Sequence, residues 1–214
     1  MMESLRYSRR RVLRLAIALL ALAWAGPLSA ESAPDGAGAF MAQLADQAIA
    51  ALRSTGMTQD QRDAEFSRLL DQALDIEAIG RFVAGRHYQQ MSPQQRTEYQ
   101  RLFGMFVVKS FARRLGDYSG ETFSVISSRP VDEQHVLVRS RIVRPSGPPI
   151  DLDWRVRAGP GAFRIVDVTV GGVSMSVTQQ QDFAAVITRS GVEGLLAALR
   201  LRTEPATAAA PARR

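Results

Sequence analysis

The chain has no cysteine, which excludes disulfide staples, thiolate nucleophiles and thiolate metal ligands at once. Its core must therefore hold by burial alone. Histidine is nearly as scarce: His87 and His135 are the only two, and they fall in different halves of the pattern. A metal site would need more nitrogen or sulfur donors at workable spacing, so no metal is expected. No G-x-S-x-G elbow, phosphate-cradling glycine loop or dinucleotide fingerprint is present. Gly171-Gly172 follows a strand-like run, but no helix with phosphate-binding spacing opens after it, and it reads as a tight turn. The sequence thus predicts no catalytic residue and no cofactor.

A basic excess is also missing from most of the chain. The formal charge is +6, but residues 1–30 hold five arginines and one glutamate, and the tail from Leu201 holds three arginines and one glutamate. Between Glu31 and Arg200 there are 19 basic and 19 acidic residues. With no clustered basic face left to follow a phosphate backbone, nucleic acid is not an expected partner.

The N-terminus explains where the charge went. Arg6, Arg9, Arg10, Arg11 and Arg14 form a basic region. An apolar run from Leu15 to Trp24 follows, and then Gly26-Pro27 and the small-residue end Leu28-Ser29-Ala30. The run is too short to span a bilayer and long enough for a secretory signal. Residues 1–30 are expected to be a cleaved signal peptide, with Ala25 an alternative cut site. Ser8-Arg9-Arg10-Arg11-Val12-Leu13-Arg14 also fits the twin-arginine export pattern. Residues 31–38 read as a flexible leader, 39–200 as a single domain, and 201–214, rich in alanine and proline, as a disordered tail.

The domain divides into a helical half and a strand half. Phe40, Leu44, Ala48 and Leu52 share a helical face. A second helix starts near Thr58, with Phe66, Leu69 and Leu70 inward. A third starts at Asp75 and carries Ile76, Ile79, Phe82 and Val83 to Gly85. Ser92-Pro93-Gln94-Gln95 is the clearest start: a cap, a proline in the first turn, and a glutamine placed to close a capping box. From there Tyr99, Leu102, Phe103, Phe106, Val107, Ser110, Phe111 and Leu115 draw a wide apolar stripe.

Four strands follow: 122–126, 136–144, 150–157 and 163–170. In the third, Ile150, Leu152, Trp154 and Val156 alternate with Asp151, Asp153, Arg155 and Arg157, so one face is dry and one wet, as in an antiparallel sheet. Pro145–Pro148 and Ala158–Gly161 supply turns. If the first of these turns pairs Ile142 with Leu152, then Ser140 meets Trp154 and Arg141 meets Asp153. Helical segments at 178–188 and 192–199, broken at Gly191, close the chain. The expected fold class is α+β: N-terminal helices on one face of a curved four-stranded antiparallel sheet, with a C-terminal helix closing the domain. The Tyr99–Phe111 stripe is expected to face the dry side of the sheet.

Several segments in order resemble one family. Phe82–Gly85-Arg86, Ser92-Pro93-Gln94-Gln95-Arg96, Tyr118-Ser119-Gly120, Arg129-Pro130 and Val136–Ile150 are similar to the MlaC-type phospholipid carriers, also called the toluene-tolerance family. So are Asp153-Trp154-Arg155-Val156, Val166-Asp167-Val168, Gly172-Val173-Ser174 and Gln181-Asp182-Phe183 to Gly191. The resemblance runs from about Phe40 to Leu199 and departs at His87, where the family often has an aromatic residue.

The resemblance implies a monomeric periplasmic carrier with a phospholipid as cargo and no cofactor. Its implied partners are an outer-membrane lipoprotein complex and an inner-membrane ABC lipid transporter, in a pathway that maintains outer-membrane lipid asymmetry. A hopanoid-associated branch of the same family is an alternative. By face, the expected lipid-binding residues on the helices are Phe82, Val83, Tyr99, Leu102, Phe103, Phe106, Val107 and Phe111. On the strands they are Phe123, Val125, Val136, Val138, Ile142, Leu152, Trp154, Val156, Val166 and Val168. A rival reading is an enzyme acting on an apolar substrate with Asp167 as base, since Asp167 interrupts the run Ile165–Val168. The other reading of Asp167 places it on the wet face beside Arg155 or Arg157.

Overall fold

In the computed structural model, which describes residues 33–115, 119–159 and 162–203 with the side chains of 111–115 excepted, helices come first and a meander sheet follows. The expected signal peptide, Glu31-Ser32, Tyr118, the turn residues Pro160-Gly161 and residues 204–214 lie outside the described residues.

The helices are α1 (Ala33–Arg53), α2 (Gln59–Ala73), α3 (Ile76–Ala84), the short α4 (Arg86–Gln90) and α5 (Pro93–Leu115). Their starts are chemically specified. The Thr58 hydroxyl accepts from the Gln61 N–H at 3.2 Å, while the Gln61 side chain accepts from the Thr58 N–H at 2.8 Å. Ser92 and Gln95 repeat the exchange at 3.2 and 2.8 Å. Each box satisfies two amide donors that a helix start otherwise leaves orphaned. Asp75 caps α3 by accepting from the Ala78 N–H at 3.1 Å. Gly85 ends it at φ 55, a left-handed value that disfavours side chains.

At the N-terminal side the structure corrects the leader reading. α1 begins at Ala33, and Ala37 and Gly38 are buried. The small residues that suggested flexibility instead permit close contact, because a Cβ on Gly38 would sit 2.7 Å from the Ser128 Oγ.

The sheet comprises β1 (Thr122–Pro130), β2 (His135–Val143), β3 (Ile150–Gly159), β4 (Ala162–Val170) and the two-residue β5 (Val173–Ser174), antiparallel in the order β1-β2-β3-β4-β5. The short fifth strand adds to the four expected. The register differs from the expected one by two residues: Ile142 pairs with Ile150, Ser140 with Leu152, Val138 with Trp154, Arg139 with Asp153 and Arg141 with Asp151. The turn closes earlier because the Arg144 guanidinium folds back onto the Pro148 carbonyl (2.8 and 3.1 Å) and Gly147 takes φ 91. A slip of two keeps each side chain on its face, so the dry and wet faces stand as read.

Two bulges shape the sheet. One interrupts β1 between Val125 and Ser127. The other leaves Val166 unpaired, since Arg155 meets Asp167 and Val156 meets Ile165. Ile165, not Val166, turns into the core at 3 % exposure. Its carbonyl accepts from the Asp75 N–H at 2.9 Å, and Leu74 forms a parallel bridge beside it.

Last comes α6 (Met175–Thr203), broken at Gly191 (φ 70, ψ −179). It runs into the segment read as tail: Thr203 is buried, and its carbonyl accepts from the Lys109 ammonium. A cation at the end of a helix satisfies an orphan carbonyl and complements the helix dipole.

Candidate functional site

The apolar interior forms two clusters. The first is helical, built from Val83, Ala84, Met91, Tyr99, Leu102, Phe103, Phe183, Ile187, Leu195, Leu196 and Leu199. The second joins α1 and the α2–α3 junction to the sheet through Ala37, Met41, Ala73, Leu74, Val136, Val138, Val156 and Ile165. This corrects the expected facing of the α5 stripe. Tyr99 stacks on Phe103 at 5.7 Å, and Phe183 of α6 meets Tyr99, Phe103 and Phe106 at 6.0–6.3 Å between ring centroids. Aromatic edges and faces satisfy one another there, while α1 covers much of the dry face of the sheet.

A seam lies where the clusters meet. Ile76, Ile79 and Val107 pack against both. Phe106, Phe123, Val125, Ile142, Trp154, Val166 and Val168 are half-buried. By contrast, Val83, Tyr99, Leu102, Phe103, Val136, Val138, Leu152 and Val156 are buried. Phe82 is 48 % exposed, and its backbone carbonyl accepts from the Gln180 side chain of α6 at 2.6 Å. The side chain of Phe111 lies outside the described residues. Ile76 and Ile79 were not among the expected lipid-binding residues, although their three-residue spacing was visible. Ser140 was missed as well: it is fully buried, and its Oγ accepts from the Trp154 indole N–H at 2.8 Å. Tyr99 donates to the Gly80 carbonyl at 2.9 Å, and burial pushes its phenol well above the ordinary range.

The wet face is a lattice of paired charges. Arg139 holds Asp153 through two bonds (2.8 and 3.0 Å), and Arg141 holds Asp151 likewise (2.6 and 2.9 Å). These bonds keep both carboxyls below their ordinary range. Asp167 takes the wet-face position opposite Arg155. Its two oxygens accept from the Ser174 hydroxyl at 2.6 Å and the Ser176 N–H at 3.1 Å, so its carboxylate fastens the start of α6. Among the described residues no cluster of metal-ligating side chains forms, and no helix is long and apolar enough to cross a membrane. A surface hollow of about 430 Å³ opens beside the α1–α2 turn, lined by Gly56, Met57, Gln61, Ala64, Glu65 and Arg68. Its lining is mixed and polar, and none of the expected lipid-binding residues reaches it.

The family model of the MlaC protein matches residues 42–201. This chain belongs to the MlaC family. A curated relative, the intermembrane phospholipid transport system binding protein MlaC of Haemophilus influenzae, is 25% identical over 127 residues, covering 58% of this chain and 59% of that protein. The match thus spans about three fifths of that relative's length. A solved structure of a phospholipid-binding protein from Ralstonia solanacearum, in complex with a phospholipid, superposes with a TM-score of 0.68 at 26% identity, covering 78% of this chain and 96% of that one. The fold of this MlaC family member is therefore α+β, with its helices, antiparallel sheet and C-terminal helix arranged as in that neighbour.

Proposed function

We propose that this chain is a periplasmic phospholipid carrier that holds acyl chains in the seam between the helical cluster and the dry face of the sheet. It takes lipid from one membrane complex and delivers it to another, between an outer-membrane lipoprotein complex and an inner-membrane ABC transporter, and so maintains outer-membrane lipid asymmetry. The observation that carries this reading is the half-buried apolar seam, in a fold whose Ralstonia solanacearum neighbour is bound to a phospholipid.

The energetics suit a carrier. Each methylene leaving water gains about 0.8 kcal/mol, but a bilayer offers the same gain, so the seam need only match the membrane to exchange lipid with it. A dry aliphatic and aromatic lining suffices, and the transfer requires no reacting group. Asp167, the one residue read as a possible base, has both oxygens engaged at the start of α6.

Native mass spectrometry of protein purified gently from the periplasm tests the proposal. The expected result is one diacyl phospholipid per chain. Lipid-free protein across gentle preparations would overturn it, and a bound hopanoid would move the chain to the other branch.

A further inference from the structure

We infer that Trp154, pinned by Ser140, is the floor of the acyl-chain seam and sets the chain length that the seam accepts. This rests on the carrier reading. Trp154 is the only tryptophan among the described residues. Its partners in the sheet are Val138 on β2 and Val168 on β4, but its indole N–H reaches the Ser140 Oγ, one pair farther along β2. The ring therefore lies diagonally along the dry face rather than standing off it. It is only half-buried, so part of the indole borders the space above the sheet. One pair in the other direction, Val136 and Val156 are 2 % and 0 % exposed. Val138, Ser140 and Leu152 around the ring are buried as well, at 0 %, 0 % and 7 %, and the dry-face pair Ile142–Ile150 beyond them is half-buried, so the face loosens toward that end and stays packed toward Val136 and Val156.

Ser140 gives the second reason. Its neighbours on the dry row of β2 are Val136, Val138 and Ile142, and it is 0 % exposed. Burying a hydroxyl is costly without a partner and contributes little net stability with one; an alanine would pack at least as well. What the serine supplies is direction, because it fixes one orientation of a large flat ring. A slab held in one orientation gives a chain terminus a definite stop, and interiors packed like organic crystals register a change of even one methylene. Ser140 is accordingly a positioning residue, and Trp154 is the residue that touches cargo.

The test uses the full chain carrying Trp24→Phe, so that Trp154 emits alone, loaded with phosphatidylcholines brominated near the carbonyl, at mid-chain or near the terminal methyl. Bromine quenches on contact, and quenching is expected to be strongest from the terminal position. In parallel, the lipids bound to Trp154→Leu are profiled, and their acyl chains are expected to lengthen by about two carbons, the space a ring yields at native packing density. Ser140→Ala should broaden the chain-length distribution and flatten the quenching profile, changes a purely structural serine would not produce, beside a small drop in melting temperature as the indole N–H loses its acceptor. Equal quenching from all positions, or strongest quenching near the carbonyl, would overturn the floor and leave the carrier standing. So would a Trp154→Leu protein with an unchanged lipid profile. If Trp154→Leu does not fold, the quenching profile of the unsubstituted ring decides. A protein that takes up none of the lipids would remove the carrier reading itself.

Discussion

Ser174 donates its hydroxyl to Asp167 across 2.6 Å, and the same carboxylate accepts the Ser176 N–H at 3.1 Å. One aspartate on β4 thus receives both the short β5 strand and the first turn of α6. Asp167→Ala should lower unfolding stability by about 1–2 kcal/mol, the usual loss for a helix-start acceptor, while bound lipid persists. Asp167→Asn, which keeps an acceptor, should lose less. Chemical denaturation and lipid extraction read the two effects, and loss of function with unchanged stability would instead restore Asp167 as a reacting group.

Burial separates two substitutions of similar chemistry. Val138 is 0 % exposed in the packed cluster, whereas Phe106 is half-buried at the seam. Val138→Asp strands a charge away from water and should cost most of the roughly 5–15 kcal/mol that a domain has, leaving little folded protein by circular dichroism. Phe106→Asp keeps its carboxylate partly hydrated. It should fold, lose about 1–3 kcal/mol, and retain little phospholipid.

Acid should act through the wet face. On that face arginine hydrogen bonds hold Asp151 and Asp153 below their ordinary range in the folded chain, and between α5 and α6 Arg200 does the same to Glu98 across 2.8 Å. A carboxyl depressed on folding stabilises above its unfolded pKa, about 3.9 for Asp and 4.3 for Glu. That contribution is lost as pH falls through the folded value. The melting temperature should therefore drop as pH goes below about 4. The double variant Asp151→Asn, Asp153→Asn should show a shallower drop there. Because these pairs are solvent-screened, salt at neutral pH should move the melting point only slightly.

Gly191 has open space around its missing Cβ, yet its φ of 70 with ψ of −179 belongs to glycine alone. Gly191→Ala should cost about 1–3 kcal/mol through backbone strain rather than collision. A thermal melt should show it, and an unchanged melt would mean that the helix straightens through the break without penalty.

What could be read in the sequence was mostly local. The capping pair Ser92–Gln95 lies three residues apart, so its chemistry is complete within one turn, while the same spacing at Thr58–Gln61 went unread although the helix start there was seen. The alternation Ile150–Val156 gave the faces of β3 for the same reason. The β2–β3 register needed the actual closure of the Arg144–Pro149 turn, and the expected pairing was off by two residues, one full period of the pleat. Val166 was placed on the dry face by simple alternation, but a bulge breaks the period without any glycine to announce it. For α5 the periodicity told which face was apolar, not what covers it. Its partner, Phe183, follows the α5 rings it meets by 77 to 84 residues, and only packing joins them.

The bridge between Leu74 and Ile165 has a consequence for how copies of the chain meet. An unpaired strand edge is a template on which another molecule can build. β4 has β3 along one side, while Leu74, Asp75 and β5 hold carbonyls and amides on the other. At the opposite margin β1 is bent by its bulge and carries Arg129 and Pro130 at its end, and proline has no N–H to donate. Crowding many copies together thus gives the sheet little to extend onto, and strand-by-strand growth into fibres finds few free margins.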